Sequence, residues 1–237
     1  MRPRDVSDGG AYATGVLCSS GVRIPHPGGT GLTLHAVDVA GLQRESLILD
    51  IGCGAGATVM LLRSHGLNAK GIDPSFTPAY GIADLYCQRA TADNLPFPSQ
   101  SFEAVLAECS LSVMEDPLRV LWECARVLRR GGKIILCDVY ARNPEEIGAV
   151  RALGSHCISG VLVREELEGW LRHCGFHVTC FEDHSQALRQ AMAQFIFDHD
   201  SPAELWGTCE SPNQVDCIAL AMKRIRAGYF FLTAVRV

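Results

Sequence analysis

Apolar and polar positions change rhythm repeatedly along the chain. From Leu47 onward, short apolar runs alternate with segments whose apolar residues recur every three or four positions, which predicts strands and helices in turn. The expected strands are Leu47–Ile51, Ala69–Ile72, a short one near Arg89–Ala92, Ala104–Ala107 and Lys133–Val139. The clearest helix falls between the last two. There LRVLWECARVL has apolar residues at helical spacing, Asp116 is placed to cap it and Pro117 suits its first turn. Gly131 and Gly132 are expected to stop it. Another helix is expected from about Arg164 to Cys174, ending at Gly175, followed by a strand over Phe176–Glu182. Two further helices, Ser185–Asp198 and Gln214–Ala227, are separated by DSPAELWGTCESPN. The closing YFFLTAVRV, β-branched and aromatic throughout, reads as a buried strand. Alternation of this kind implies a mostly parallel sheet with helices on both faces. A single domain with a helical insertion at about 183–228, ahead of the last strand, is the simplest partition.

Composition narrows the picture only modestly. With 237 residues, 48% hydrophobic and 20% charged, the chain can bury a sizeable core as an ordinary globular protein. A net charge of −5 argues against nucleic acid as a partner. The densest basic run, RVLRRGGK, sits at a helix end, where cations favour the helix dipole. The first twenty residues contain Asp5 and Asp8 and no apolar core of a signal peptide. No run approaches the roughly 18 apolar residues of a membrane-spanning helix. A cytoplasmic location, away from membranes, is the expectation. The 11 cysteines show no C-x-x-C spacing, and most lie in apolar runs, where they act as small hydrophobes. His173, Cys174, His177, Cys180 and His184 are close in sequence, but GFHVTCF alternates like a strand and sends His177 and Cys180 to opposite faces. No metal is expected there.

The stretch LILDIGCGAGATV carries the first chemistry. A strand runs into a glycine loop and a helix follows, an arrangement that lets a ligand approach the backbone and aims free amides at it. Gly52, Gly54 and Ala57 match the dinucleotide pattern G-x-G-x-x-G/A, so the loop alone suits a nicotinamide cofactor as well as S-adenosylmethionine. Asp50, two residues before Gly52, would repel a pyrophosphate and suit a cationic ligand. Asp73, in GIDPS, has two oxygens suited to the paired hydroxyls of a ribose under either cofactor. Asp93, just past the third strand, could accept from an adenine amino group, with Leu95 covering the base. A short-chain dehydrogenase would ordinarily show Tyr-x-x-x-Lys, and none of the five tyrosines has Lys four residues on.

LDIGCGAG, GIDPS, ADNLPFPSQSFEAV, RVLRRGGKIIL and REELEGWLRHCGF follow one another in order and spacing. Together they resemble the class I S-adenosylmethionine-dependent methyltransferases, nearest the ubiquinone/menaquinone-type small-molecule branch, from about Leu47 to Phe181. The resemblance implies a doubly wound, seven-stranded, mostly parallel α/β sheet whose last strand is antiparallel and inserted beside the fifth. It implies methyl transfer from S-adenosylmethionine to a small-molecule acceptor. Gly52, Cys53 and Gly54 would pass under the methionine portion, with Asp50 at its amino group. Asp73, followed by Pro74, would bind the ribose. Asp93, Asn94 and Leu95 would frame the adenine, and Glu108, Cys109 and Ser110 would flank the methyl and face substrate. Residues 1–46 lie outside the shared core as a candidate cap. His26 there is the attractive candidate base, since histidine titrates near neutral pH, and His156 is a weaker one facing substrate. The insertion, about 45 residues where many relatives have a tight hairpin, is a candidate substrate lid or homodimer surface. An RNA or protein methyltransferase, or a non-catalytic S-adenosylmethionine-binding protein, stands as the alternative.

Overall fold

The computed structural model describes residues 26–77, 82–152, 160–199 and 220–237. His156, the first 25 residues of the expected cap and residues 214–219 of the second expected insertion helix fall outside these residues. In chain order the strands are β1 (Leu47–Ile51), β2 (Asn68–Asp73), β3 (Cys87–Arg89), β4 (Phe102–Glu108), β5 (Leu128–Ala141), β6 (Leu162–Val163), β7 (Phe176–Asp183) and β8 (Gly228–Arg236). The helices are α1 (Gly29–Val39), α2 (Ala57–Ser64), α3 (Pro117–Val127), the short α4 (Ile147–Arg151), α5 (Arg164–His173) and α6 (Ser185–His199), and residues 220–224 form one more turn of helix.

The strands make one sheet in the order β3-β2-β1-β4-β5-β8-β7. The pairs among β3, β2, β1, β4 and β5 are parallel, whereas β8 runs antiparallel to both β5 and β7. The last strand is thus inserted beside the fifth, as expected. The two-residue β6 pairs with Tyr140 and Ala141 and raises the count to eight, a pairing too short to leave a sequence signal.

Two apolar layers explain the composition of the strands. Ile48, Ala104, Ile135, Tyr229 and Phe231 face a core shared with α1, α2 and α6, while Leu49, Val105, Ile134, Phe230 and Leu232 face one shared with α3 and α5. Alternate residues of YFFLTAVRV therefore enter opposite cores, and Tyr229, Phe230 and Phe231 are all fully buried. Burial of each such side chain contributes on the order of 1.5–3 kcal/mol.

Two boundaries differ from expectation. Helix α3 begins as predicted, with Asp116 Oδ1 accepting from Arg119 N at 2.9 Å, but it ends at Val127 because Leu128 is already extended. Phe102 pairs with Leu128 and Ala104 with Lys133, so Arg129–Gly132 loops out opposite a single residue, with Gly131 at φ 75°. The glycines serve a strand bulge rather than a helix stop. Strand β3 lies upstream of its expected position because its register with β2 sets Arg89 opposite Asp73, and both strands end there.

Candidate active site

At the carboxyl end of β1 the chain turns sharply, since Gly52 N and Cys53 N both donate to Ile72 O at 2.8 and 3.0 Å. Gly52 has φ 77°, and a Cβ there would lie 2.5 Å from the Cβ of Ser110. The loop after β4 therefore rests directly on the glycine loop, held by Ser110 Oγ donating to Ile51 O at 3.0 Å. Beside Gly54 the space is open where a side chain would project, and its N–H donates to Asp73 Oδ2 at 3.0 Å. The other Asp73 oxygen accepts from the backbone and hydroxyl of Ser75. Three of the roughly four lone-pair sites of that carboxylate are thus in use. Pro74 O accepts from Arg89 Nε at 2.8 Å, which fixes the turn after β2.

Asp50 is buried within this turn, and its Oδ2 has no hydrogen-bond partner. Burial, with Glu108, Cys87 and Asp73 beside it, holds its carboxyl well above the usual carboxylate range. A buried, unpartnered carboxylate costs stability and marks a place for a donor or a cation. Cys53 lines the same turn as a buried thiol, raised by its hydrogen bond with Cys87 and by burial.

Glu108, at the end of β4, is the centre of a second polar group. Its Oε1 accepts from Thr33 Oγ1 on α1 at 2.8 Å, and its Oε2 accepts from Thr58 Oγ1 on α2 at 3.1 Å. His26 Nε2 lies 3.1 Å from Thr33 Oγ1 and 3.4 Å from Glu108 Oε2, with both ionisable side chains about 95% buried. His26 Nδ1 contacts Pro27 O at 3.1 Å. With Nε2 donating to Thr33, the threonine hydroxyl is free to donate onward to Glu108, a tautomer assigned from this network.

The next residue, Cys109, adopts φ 50°, and its Sγ lies 3.2 Å from the buried Tyr229 Oη. Burial, with Asp138 nearby, pushes the thiol up. Asp138 accepts from the backbone and hydroxyl of Ser112 at 2.9 and 2.7 Å and so fixes the following turn. Asp93 and Asn94 are exposed in the loop after β3. Leu95 is buried in the core on the α3 face, with N donating to Glu123 Oε2 at 2.8 Å and O accepting from Arg126. The Arg126 guanidinium holds the Glu123 carboxyl below its usual range, so the pair clamps this loop.

The structure thus brings Asp50, Gly52, Cys53, Gly54, Asp73, Glu108 and Ser110 to one end of the sheet, adds His26 from the segment before α1, and sets Asp93 and Asn94 on the neighbouring loop. Thr33, Thr58, Glu123 and Tyr229 escaped the sequence reading. Thr33 stands seven residues after His26 and Thr58 is second in the helix after the glycine loop, positions that look ordinary until the fold joins them at Glu108.

A model of the methyltransferase domain matches residues 49–136. O-methyltransferase resE of Aspergillus sclerotiorum is 31% identical over 206 residues, 80% of this chain and 75% of that protein. The chain belongs to the class I S-adenosylmethionine-dependent methyltransferases. The family implied by the five ordered motifs is the one found. The 27-O-demethylrifamycin SV methyltransferase of Amycolatopsis mediterranei is 31% identical over 176 residues, 68% of this methyltransferase and 64% of that one. A solved structure, that of the [4+2]-cyclase SpnF, is similar with a TM-score of 0.64 and 26% identity, over 86% of this chain and 79% of that chain. The glycine loop of this methyltransferase fits S-adenosylmethionine, because Asp50 Oδ2 is a buried carboxyl oxygen without a partner and the face of Gly54 is open. Among the described residues no helix is long and apolar enough to cross a membrane.

Proposed function

We propose that this methyltransferase methylates a hydroxyl oxygen of a small molecule, with His26 as the proton acceptor. The orphaned Asp50 carboxylate beside the open glycine loop is the observation that supports the cofactor half of this reading. The acceptor half draws on the two relatives described as O-methylating enzymes. When bound, S-adenosylmethionine supplies an electrophilic methyl on a sulfonium leaving group. The chain's own work is then mainly alignment. Asp50 holds the amino group, Asp73 with Pro74 the ribose, and Asp93, Asn94 and Leu95 the adenine side. Gly52, Cys53 and Gly54 form the floor. Glu108, Cys109 and Ser110 border the acceptor, and His156, outside the described residues, stays a candidate for it from sequence alone. In this reading His26 takes the proton of the acceptor hydroxyl on Nδ1, the nitrogen left without a proton when Nε2 donates to Thr33, and Glu108, through Thr33, stabilises the imidazolium that results.

Residues 1–46 act as a cap over this end of the sheet, and the insertion at 183–228 serves as an acceptor lid or a self-association surface in the cytoplasm. The test is a screen of hydroxyl-bearing metabolites that follows S-adenosylhomocysteine and methylated product together. His26→Gln should lower kcat about 100-fold with little change in cofactor affinity. Equal kcat in the two proteins would remove His26 from the chemistry. The [4+2]-cyclase neighbour motivates a second reading, in which the cofactor is held but not consumed. Product formation without S-adenosylhomocysteine would favour that reading.

A further inference from the structure

A group of side chains remote from the glycine loop in sequence converges at the edge of the sheet. His35 projects from α1, Glu182 lies near the end of β7 and His184 follows that strand. The Nε2 atoms of both histidines lie 2.8 Å from the same oxygen, Glu182 Oε2. All three candidate ligand atoms fall within 4.8 Å of one another. Glu182 and His184 are two residues apart, a spacing that returns side chains to one side of an extended chain.

The positions are held from behind. His35 packs edge-on against the ring of Phe231, with centroids 5.8 Å apart, and His184 is anchored by its N–H donating to Tyr229 O at 2.7 Å. Cys180 Sγ donates to the second carboxylate oxygen, Oε1, at 3.6 Å, leaving Oε2 turned toward the imidazoles. Packing and hydrogen bonds of this kind orient metal ligands.

We propose that His35, Glu182 and His184 bind a divalent cation of the zinc class. Two imidazoles and one carboxylate suit Zn²⁺, Co²⁺ or Ni²⁺, whereas Mg²⁺ and Ca²⁺ require more oxygen ligands. Tetrahedral coordination with bonds of about 2.0–2.1 Å sets ligand atoms roughly 3.3 Å apart, so the two nitrogen–oxygen contacts need spread by only about half an ångström and the two imidazole nitrogens, within 4.8 Å of each other, settle to the same separation. The side chains are 45%, 33% and 28% exposed, which leaves room for water at a fourth position. Ligation would tie α1 to β7. It would also enlist His184, whose sequence neighbourhood offered no site; the decisive ligand, His35, lies 147 positions before Glu182.

The full chain, stripped with a chelator, is titrated with Zn²⁺ by calorimetry and with Co²⁺ by visible spectroscopy. One ion should bind per chain with micromolar or tighter affinity and raise the melting temperature, while Mg²⁺ does neither. His35→Ala, Glu182→Gln and His184→Ala should each weaken binding at least tenfold, while melting like the parent in chelator. His173→Ala, which alters an imidazole packed against Trp122 elsewhere, should bind as the parent does. Absence of binding in the parent, or undiminished binding in all three ligand variants, would overturn the proposal. Neither outcome bears on methyl transfer, because no methyl donor is present.

Discussion

Replacing Asp50 by Asn tests the buried carboxylate at the glycine loop from two directions. Its Oδ2 lies buried with no partner, and Glu108 and Asp73 add like charge. Without ligand, the ionised carboxylate therefore opposes folding. Asn keeps a polar group there but removes the buried charge and its repulsion from Glu108 and Asp73, so above the ordinary carboxyl range the ligand-free variant should melt higher by about 2–4 °C for each kcal/mol recovered. The pH dependence has a definite sign. Because the native carboxyl is raised above its ordinary value of 3.8, the folded state binds more protons than the unfolded one in the window between the two values. Ligand-free stability then falls as pH rises through that window, and Asp50→Asn lacks that slope. Cofactor binding should move the other way. A hydrogen bond between a carboxylate and an ammonium is worth about 1.5–3 kcal/mol, so the variant should bind S-adenosylmethionine and S-adenosylhomocysteine about ten- to a hundredfold more weakly. Adenosine, which lacks the amino-acid end, should bind both proteins equally. Calorimetry with the three ligands and melting curves across pH make the comparison. An unchanged S-adenosylmethionine affinity, or an equal loss for adenosine, would refute the assignment.

Other substitutions probe the surroundings. Asp73→Ala should abolish stabilisation by S-adenosylmethionine and by adenosine alike, seen as a lost thermal shift; an unchanged shift would remove the ribose assignment. Gly52→Ala places a Cβ against Ser110 at a positive φ and should cost about 1–3 kcal/mol or more in urea unfolding, with part recovered in the Gly52→Ala/Ser110→Gly double variant. Asp116→Ala removes the α3 cap and should cost about 1 kcal/mol, lowering the melting temperature by about 2–4 °C without changing cofactor affinity. Thr33→Val keeps the side-chain shape but breaks the link between His26 and Glu108; if the link serves catalysis, kcat falls while cofactor affinity holds.

Most strand positions and the glycine loop were legible because their signals are local, whereas the place of the last strand beside the fifth came only with the family resemblance. A continuous apolar run such as YFFLTAVRV announces a strand buried on both faces, and the fold does place its alternate residues in two cores. Asp116 announces a helix start by accepting from Arg119 N, and Pro117 by a fixed φ that suits the first turn. The errors arose where a residue type serves two local purposes. Glycine stops helices and also permits bulges, and Gly131 and Gly132 took the second role because β5 had to start at Leu128 to pair with Phe102. The seven strands of the main path match the expectation, and among the described residues an eighth, β6, exists only through its pairing with Tyr140 and Ala141.

The candidate site divides along the same line. Asp50, Gly52, Gly54 and Asp73 sit in contiguous motifs, so sequence order alone brings them forward. The environment of Glu108 is assembled from residues 26, 33 and 58 on three separate segments, and nothing in one local window relates them. The hydrogen bonds suggest why the cap and the core would act together. Thr33 and Thr58 each spend a hydroxyl on the same carboxylate, so displacing α1 would leave Glu108 Oε1 buried without its donor, at a cost of about 1–3 kcal/mol. That cost favours α1 remaining seated against the sheet, beside the glycine loop. A carboxylate that fixes a helix in this way is valuable to a transferase, which must exclude water from a reactive methyl while admitting the acceptor.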